Sequence, residues 1–472
     1  MGSGKVTDWQ GKHVTVAGLG VSGVPAAKVL HARGAIVTVV NDGDDARARE
    51  QAAELEALGI PVRLGDGATL PEGTELIVTA PGWKPDKPLF TAAREAGVEV
   101  WGDVELAWRL RGPDAAPWLA ITGTNGKTTT TQMLASILKA AGLRTAAVGN
   151  IGVSLLDAVL GEEQYDVLAV ELSSYQLHWA PSLRAHSAAV LNLAPDHLDW
   201  HGSMQAYAAD KGRIYEGNRV ACVYNVADRA TEDLVREADV EEGCRAIGFT
   251  LGAPGPSQLG VVDGILVDRA FVENRQKNAQ ELAEISDVNP PAPHNIANAL
   301  AAAALARAFG VPPKAVRDGL RAFTPDAHRI AHVADVDGVA YVDDSKATNT
   351  HAAEASLAAY ESIVWIAGGL AKGASFDELV AKSAKRLRAV VLIGADRALI
   401  REALARHAPE VPVVDLDRTD TGAMLQAVTE AKRLAQPGDT VLLAPACASM
   451  DMFTNYNKRG DAFAEAVREL GS

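Results

Sequence analysis

Ten residues, Ile121-Thr-Gly-Thr-Asn-Gly-Lys-Thr-Thr-Thr130, set two glycines, a lysine and a run of hydroxyls directly behind the apolar stretch "WLAI". An apolar strand running into a glycine turn and then a helix aims backbone N–H groups and a helix N-terminus at an anion. Gly123 and Gly126 let the backbone approach phosphates closely, while Thr124, Asn125 and Thr129 complete the loop. Lys127 can neutralise the β- and γ-phosphates of a nucleotide, and the Thr128 hydroxyl can reach Mg²⁺. Ile121 stands where the common phosphate-loop pattern has its first glycine. Such a loop calls for a carboxylate at a neighbouring strand end, and "DVLAVELSSYQL" offers Glu171. A glutamate ending an apolar strand is costly unless a cation or hydrogen bonds complete it. Farther on, "LNLAPDHLDWH" crowds Asp196, His197, Asp199 and His201 into one turn, oxygen and imidazole groups able to hold a hard divalent ion. Lys211, in "YAADKGRIY", falls on a helical stretch and on its own reads as a surface lysine.

Positioning these groups requires short β-rich runs alternating with helix-period segments, which is the pattern of an α/β protein with parallel sheets. The expected architecture has a Rossmann-like N-terminal domain over 1–106, a central phosphate-loop (P-loop) ATPase-like domain with a mostly parallel sheet over 107–325, and a C-terminal Rossmann-like α/β domain over 326–472. In the first, a strand ending at Ala17 precedes a helix over 25–32, a strand over 36–40 and another over 75–82. In the second, a helix from Lys127 stops at Gly142, "VVDGILV" forms a hairpin about Asp263-Gly264, and a helix begins near Asn295. The third opens near "FTPDAHR" and contains "VAYVDDSKATN", "SIVWIAGGLAKG", "RAVVLIGAD" and "TVLLAPACASMD".

The 472 residues suit about three domains. A net charge of −15, from 45 basic and 60 acidic residues, disfavours nucleic acid and anionic membranes as partners. Cys222, Cys244 and Cys447 are well separated in sequence, making neither a disulfide framework nor a zinc spacing, as in a reduced compartment. "MGSGKVTDWQ" lacks an apolar signal core, and "ALAAAALARAFG" is alanine-dominated and broken by Arg307. The expectation is a soluble cytoplasmic protein without membrane insertion.

"GLGVSGVP" places Gly18, Gly20 and Gly23 after a strand, with Asp42 after the next, close to a dinucleotide-binding fingerprint. A nicotinamide-dependent dehydrogenase is therefore one reading, although it leaves the Lys127 loop and Glu171 unexplained. A nucleotide-binding switch without chemistry is another.

"GTNGKTT", "ELSSYQL", "DHLDWHGS", "PHNIANALAA", "DDSKATN" and "PACASMDMFTNYNKRG" occur in an order that resembles the Mur ligase family over nearly the whole chain. The first motif is shared with folylpolyglutamate synthetases. "DDSKATN" and "PACASMD" resemble the D-glutamate-adding branch, and the Asp-Asn-Pro-Arg motif of the diaminopimelate- or lysine-adding relatives is absent.

The resemblance implies an ATP-dependent ligase that joins D-glutamate to UDP-N-acetylmuramoyl-L-alanine in peptidoglycan precursor synthesis. It implies that Lys127 and Thr128 hold ATP phosphates and magnesium, with Glu171 on a first ion. His197 and a carbamylated Lys211 would hold a second. Asn295 and Asn298 would meet the adenine side, His328 and Arg329 the nucleotide, and Asp344 and Lys346 its ribose and phosphate. Thr348, Lys372, Ser449, Met450 and Tyr456 would bind D-glutamate, whose two carboxylates suit an ammonium and hydroxyl donors. The glycine turn with Val21 and Ser22, the segment at Asp42 and Gly43, and Gly82 would surround a uridine diphosphate. Asn150 and Ser173 would reach the same ligand. Lys127, Lys211, His197, Arg329 and Lys346 are the residues expected to carry catalysis, in a monomer.

Overall fold

The computed structural model describes residues 8–418 and 420–470. They divide into two compact units, one running to Asp287 and including Ala297–Ala322, the other comprising Val288–Ile296 and the chain from Phe323 onward.

The first unit holds two sheets. Strands β1 (His13–Ala17), β2 (Ile36–Asn41), β3 (Val62–Leu64), β4 (Leu76–Thr79) and β5 (Glu99–Gly102) form an all-parallel sheet in the order β3-β2-β1-β4-β5. The expected helix after β1 spans Gly23–Ala32, two residues earlier than Pro25 suggested, with Ser22 at the N-cap position but its hydroxyl not capping the helix. The strand expected over 75–82 stops at Thr79, before Pro81 and Gly82.

The second sheet contains β6 (Trp118–Thr122), β7 (Ala147–Gly149), β8 (Leu168–Glu171), β9 (Ser187–Val190), β10 (Ala221–Asn225), β11 (Arg245–Phe249), β12 (Gln258–Val262), β13 (Ile265–Asp268) and β14 (Gln280–Glu284). Its order is β14-β13-β12-β11-β10-β9-β6-β8-β7, parallel from β7 to β12 and antiparallel at the β13 and β14 edge. Val262 faces Ile265 across the Asp263-Gly264 turn, whose φ angles of 49° and 78° match a two-residue hairpin. Strands β6, β8 and β9 are buried on both faces, as parallel strands covered by helices must be.

A continuous apolar core joins the two sheets, from Val14 and Val39 through Trp101 to Trp118 and Val170. The Trp108 and Trp118 rings meet edge to face at 5.0 Å. The Gly102 N–H donates to the Trp179 carbonyl at 2.8 Å, fixing the end of β5 against the central domain. The alanine-rich helix Pro293–Ala308 buries Ala299 through Ala306 completely, so its small side chains serve close packing within the core. Among the described residues no helix is long and apolar enough to cross a membrane.

The second unit has β15 (Ala331–Val336), β16 (Val339–Asp343), β17 (Ile363–Gly368), β18 (Leu387–Ile393), β19 (Val413–Asp415) and β20 (Thr440–Leu443), in the order β15-β16-β20-β17-β18-β19. All pairs are parallel except β15 with β16. Functional loops therefore leave the C-terminal ends of adjacent parallel strands, the usual ligand-bearing edge of such sheets.

Candidate active site

At the end of β6 the chain turns through Gly123 into the loop that opens helix Lys127–Ala140. The loop is strapped to the segment after β9. Thr124 N–H donates to the Asn192 carbonyl at 3.0 Å, and Asn125 N–H to Asn192 Oδ1 at 2.9 Å. Gly126 has φ 83°, and a Cβ there would stand 2.4 Å from Asn298 Oδ1, so no larger residue fits. Lys127 Nζ donates to the Gly123 and Thr124 carbonyls, each at 2.9 Å, which holds the ammonium over the loop. Thr128 lies half-buried on the first helical turn, and Thr129 is buried behind it.

Glu171 ends β8 beside this loop, because β8 pairs with β6 and places Glu171 opposite Ile121. Its side chain is 1% exposed. Oε1 accepts from Asn150 Nδ2 at 2.9 Å, whereas Oε2 has no hydrogen-bond partner. A buried carboxylate oxygen in that condition is completed well by a hard cation. Asn150, read from the sequence as a substrate contact, here steadies this carboxylate. Ser173 caps helix Ser174–His178 in a reciprocal capping box with Gln176.

Lys211 is not on the surface. It is 2% exposed, with Nζ donating to the Gly123 carbonyl at 2.9 Å and close to Thr122 Oγ1 at 3.4 Å. Burial, and secondarily the Lys127 cation, hold its amine well below the usual lysine range, against the pull of Asp196, Glu171 and Asp210. Lowering the proton affinity of a buried amine makes it a better nucleophile.

The crowded turn after β9 separates into two roles. His197 keeps a 43% exposed side chain, with Nε2 3.5 Å from Asp196 Oδ2 and its ring 4.9 Å from that of Tyr175. The His201 side chain is fully buried, with Nδ1 bonded to Asp210 Oδ2 and Nε2 to Ser174 Oγ, each at 3.0 Å. Both its ring nitrogens are engaged, so its place among the candidate ligands is corrected to a structural one. Among the described residues no group of three or more His, Cys, Asp and Glu is arranged to hold a metal alone.

Three contributors to this site were missed from the sequence. Tyr207 OH lies 3.0 Å from Thr124 Oγ1 and its ring 4.7 Å from Lys211 Nζ. Asp210 gathers His178, His201 and Arg213. Asn192 holds the loop. Tyr207 stands one helical turn before Lys211, the only local hint available.

In the first sheet, Ser22 Oγ donates to Asp103 Oδ2 at 3.0 Å, and Val21 is 84% exposed at the turn after β1. Asp42 pairs with Lys87 at 2.5 Å, and Asn41 Nδ2 donates to the Gly43 carbonyl at 2.9 Å. The Gly82 carbonyl accepts from Trp200 Nε1 at 3.1 Å. Val21, Ser22, Asp42, Gly43 and Gly82 thus sit on loops at the ends of the neighbouring strands β1, β2 and β4.

On the helix Pro293–Ala308, Asn295 and Asn298 are both buried, with Asn295 Nδ2 donating to the Pro290 carbonyl at 3.3 Å.

Within the second unit, His328 has φ 64° and Nδ1 2.6 Å from Asp343 Oδ2, which raises its proton affinity. Asp344 is buried and bonded by Ser356. Burial pushes its carboxyl up to about 6, despite that hydroxyl and Arg329. Lys346 Nζ lies 4.0 Å from the centre of the Tyr456 ring. Thr348 N–H donates to the Lys346 carbonyl at 2.8 Å. Leu370 and Ala448 exchange hydrogen bonds of 2.9 and 3.0 Å, which brings the loops bearing Lys372 and Ser449 side by side. Gly369 permits this approach, since a Cβ there would stand 2.2 Å from the Ala448 carbonyl. Lys372 and Met450 are exposed and Ser449 is buried. Arg459, 1% exposed and unremarked in the sequence, donates to Ser345 Oγ, the Ser345 carbonyl and the Cys447 carbonyl at 3.0, 2.8 and 3.1 Å. It ties "DDSKATN" to "PACASMD". The thiols of Cys222 and Cys244, separated in sequence, lie 3.9 Å apart as free cysteines.

Comparison with known proteins agrees with this layout. Residues 12–102 match the Mur ligase MurD-like N-terminal domain, 121–306 the Mur ligase middle domain, and 328–447 the Mur ligase glutamate ligase domain. The chain is 88% identical over 467 residues to the UDP-N-acetylmuramoylalanine--D-glutamate ligase of Streptomyces avermitilis, covering 99% of this chain and 100% of that protein. It is 89% identical over 469 residues to the protein of the same name from Streptomyces coelicolor, again covering 99% and 100%. Its fold is similar to that of a pseudomurein peptide ligase type C from Methanothermus fervidus (TM-score 0.59, 18% identity, 97% of this chain and 100% of that one). It is also similar to the MurF ligase from Thermotoga maritima in complex with ADP (TM-score 0.57, 15% identity, 99% and 97%).

Proposed function

The chain belongs to the Mur ligase family, in its D-glutamate-adding branch, and from that premise we propose how its side chains divide the work. It is an ATP-dependent ligase that adds D-glutamate to UDP-N-acetylmuramoyl-L-alanine in peptidoglycan synthesis.

A carboxylate does not acylate an amine, because its leaving group would be oxide. In the proposed route the γ-phosphoryl of ATP passes to the L-alanyl carboxylate, giving an acyl phosphate and ADP. The D-glutamate amine attacks the acyl carbon, the tetrahedral intermediate expels phosphate, and an amide remains. The residues in hand suit positioning and charge stabilisation rather than covalent catalysis. Lys127 steadies the transferring group, and Gly123 to Thr129 cradle the nucleotide. Asn295, Asn298, His328, Arg329, Asp344 and Lys346 bind it further. Thr348, Lys372, Ser449, Met450 and Tyr456 receive D-glutamate. Val21, Ser22, Asp42, Gly43, Gly82, Asn150 and Ser173 receive the UDP substrate.

The unpartnered Oε2 of Glu171 beside the nucleotide loop is the observation that carries this reading. With Thr128 it would hold one Mg²⁺, and His197 with Lys211 a second. When bound, these ions would offset the negative charge of the phosphoryl groups. The depressed proton affinity of Lys211 leaves its nitrogen free to add carbon dioxide, releasing a proton and forming a carbamate with oxygen donors. The enzyme is proposed to act as a cytoplasmic monomer, without nucleic acid or membrane insertion.

Phosphate release from ATP, measured with UDP-N-acetylmuramoyl-L-alanine and a panel of amino acids, tests the assignment. Release with D-glutamate alone is expected, and equal release with L-alanine, lysine or diaminopimelate would overturn it.

A further inference from the structure

Two hydrogen bonds join the loop after β4 to the turn that carries His197. Lys84 Nζ donates to the Asp199 carbonyl at 2.7 Å, and Trp200 Nε1 donates to the Gly82 carbonyl at 3.1 Å. These partners are more than a hundred residues apart in sequence and belong to different sheets of the first unit.

Each end of this strap touches something chemical. At one end, the loop of Gly82 to Lys87 contacts two of the segments proposed to hold the uridine nucleotide, the glycine turn at Gly18 and the segment at Asp42. Trp83 packs against Gly18, its Nε1 2.8 Å from where a Cβ would stand, and against Gly67. Lys87 pairs with Asp42 and lies 4.9 Å from the centre of the Trp83 ring. At the other end, Asp199 and Trp200 lie in the single turn Leu198–His201, which His197 opens with φ 53°. That left-handed backbone is uncommon outside glycine, and although histidine adopts it more readily than most residues, its surroundings help hold it there. Trp200 supplies part of those surroundings, its ring 4.8 Å from Tyr175, which in turn lies 4.9 Å from the His197 ring.

We propose that Lys84 and Trp200 are positioning residues that couple the uridine-nucleotide site to His197. Occupation of the Gly82 loop by the UDP substrate then favours the His197 geometry that receives Mg²⁺, and by thermodynamic reciprocity Mg²⁺ tightens the UDP substrate. The inference rests on the roles proposed above for Gly82 and His197. The consequence is ordered readiness, since the phosphoryl-transfer apparatus is completed where its acceptor is bound.

The test is calorimetric titration of UDP-N-acetylmuramoyl-L-alanine into the enzyme with a non-hydrolysable ATP analogue, at zero and at saturating Mg²⁺. Wild type is expected to bind the UDP substrate more tightly with Mg²⁺. Trp200→Phe keeps an aromatic ring but loses the donor, and Lys84→Met keeps the stem but loses the ammonium. Each is expected to reduce that tightening by about fivefold, as befits one net hydrogen bond. Lys84→Arg is expected to restore it, a rescue that a purely structural role would not require. A wild-type ratio of one, or a double variant that keeps the wild-type ratio, overturns the coupling. Melting curves check folding, and should Trp200→Phe unfold, the surface substitution Lys84→Met decides the matter by the same ratio. Ligation of D-glutamate by wild type is run alongside. Its failure refutes the functional reading, whereas intact ligation with an unchanged ratio refutes only the coupling.

Discussion

Replacing Glu171 by Gln should move stability and activity in opposite directions. The carboxylate is 1% exposed, with one oxygen bonded to Asn150 and the other without a partner. In metal-free buffer the folded protein therefore carries an incompletely compensated buried charge. The Gln side chain has the same shape and keeps an oxygen for Asn150, while removing that charge. Leaving a buried acceptor without its hydrogen bond costs on the order of 1–3 kcal/mol, and more when the group is charged. Recovering part of that should raise the metal-free melting temperature by about 2–4 °C for a domain of this size. Activity should fall at least about a hundredfold, the scale expected when one preorganised electrostatic element is lost. Differential scanning fluorimetry across a Mg²⁺ titration, paired with phosphate release, reads both effects. Wild type should gain melting temperature with Mg²⁺, and the variant should start higher and gain less. A variant less stable than wild type without metal, yet with an unchanged Mg²⁺ response, would refute the assignment of Glu171 as a cation ligand.

Lys211→Ala should lose activity and Lys211→Glu should retain some of it, because a carboxylate stands in for the carbamate. Full activity of Lys211→Ala in the phosphate-release assay would remove that role. Asp344, whose folded carboxyl is raised to about 6 from 3.8, contributes stability that is present below pH 3.8 and lost as pH rises through 6. Asp344→Asn should abolish that component in urea unfolding measured between pH 4 and 7, and an unchanged pH profile would contradict it. Arg459→Lys should destabilise the second unit by about 2 kcal/mol, because a single ammonium cannot satisfy the Ser345 and Cys447 carbonyls together. Urea unfolding indistinguishable from wild type would contradict that.

The strands that carry the site were legible because each is a short apolar run ending in glycine or a polar residue, as at Trp118–Thr122 and Leu168–Glu171. The edge strand Ala331–Val336 was not, since its residues alternate weakly between half-buried and exposed and its identity comes from pairing with β16. Site chemistry was legible where neighbouring residues supply it, as in the Lys127 loop. It was not where partners are distant. Lys211 reads as a solvated lysine until the Gly123 carbonyl, 88 residues away, is seen to hold it. His201 sits four residues from His197, yet its role is set by Asp210 and Ser174. Arg459 acts across 114 residues on Ser345. Cys222 and Cys244, distant in sequence, are brought within 3.9 Å by neighbouring parallel strands, yet they stay free thiols as their sequence spacing implied.

Activation of the acceptor acid by ATP can be followed through the fate of one oxygen. With UDP-N-acetylmuramoyl-L-alanine labelled with ¹⁸O in its alanyl carboxylate, an acyl phosphate route transfers one labelled oxygen to inorganic phosphate for each amide formed. Mass spectrometry of the released phosphate is expected to show that transfer, and phosphate free of label while amide accumulates would contradict it.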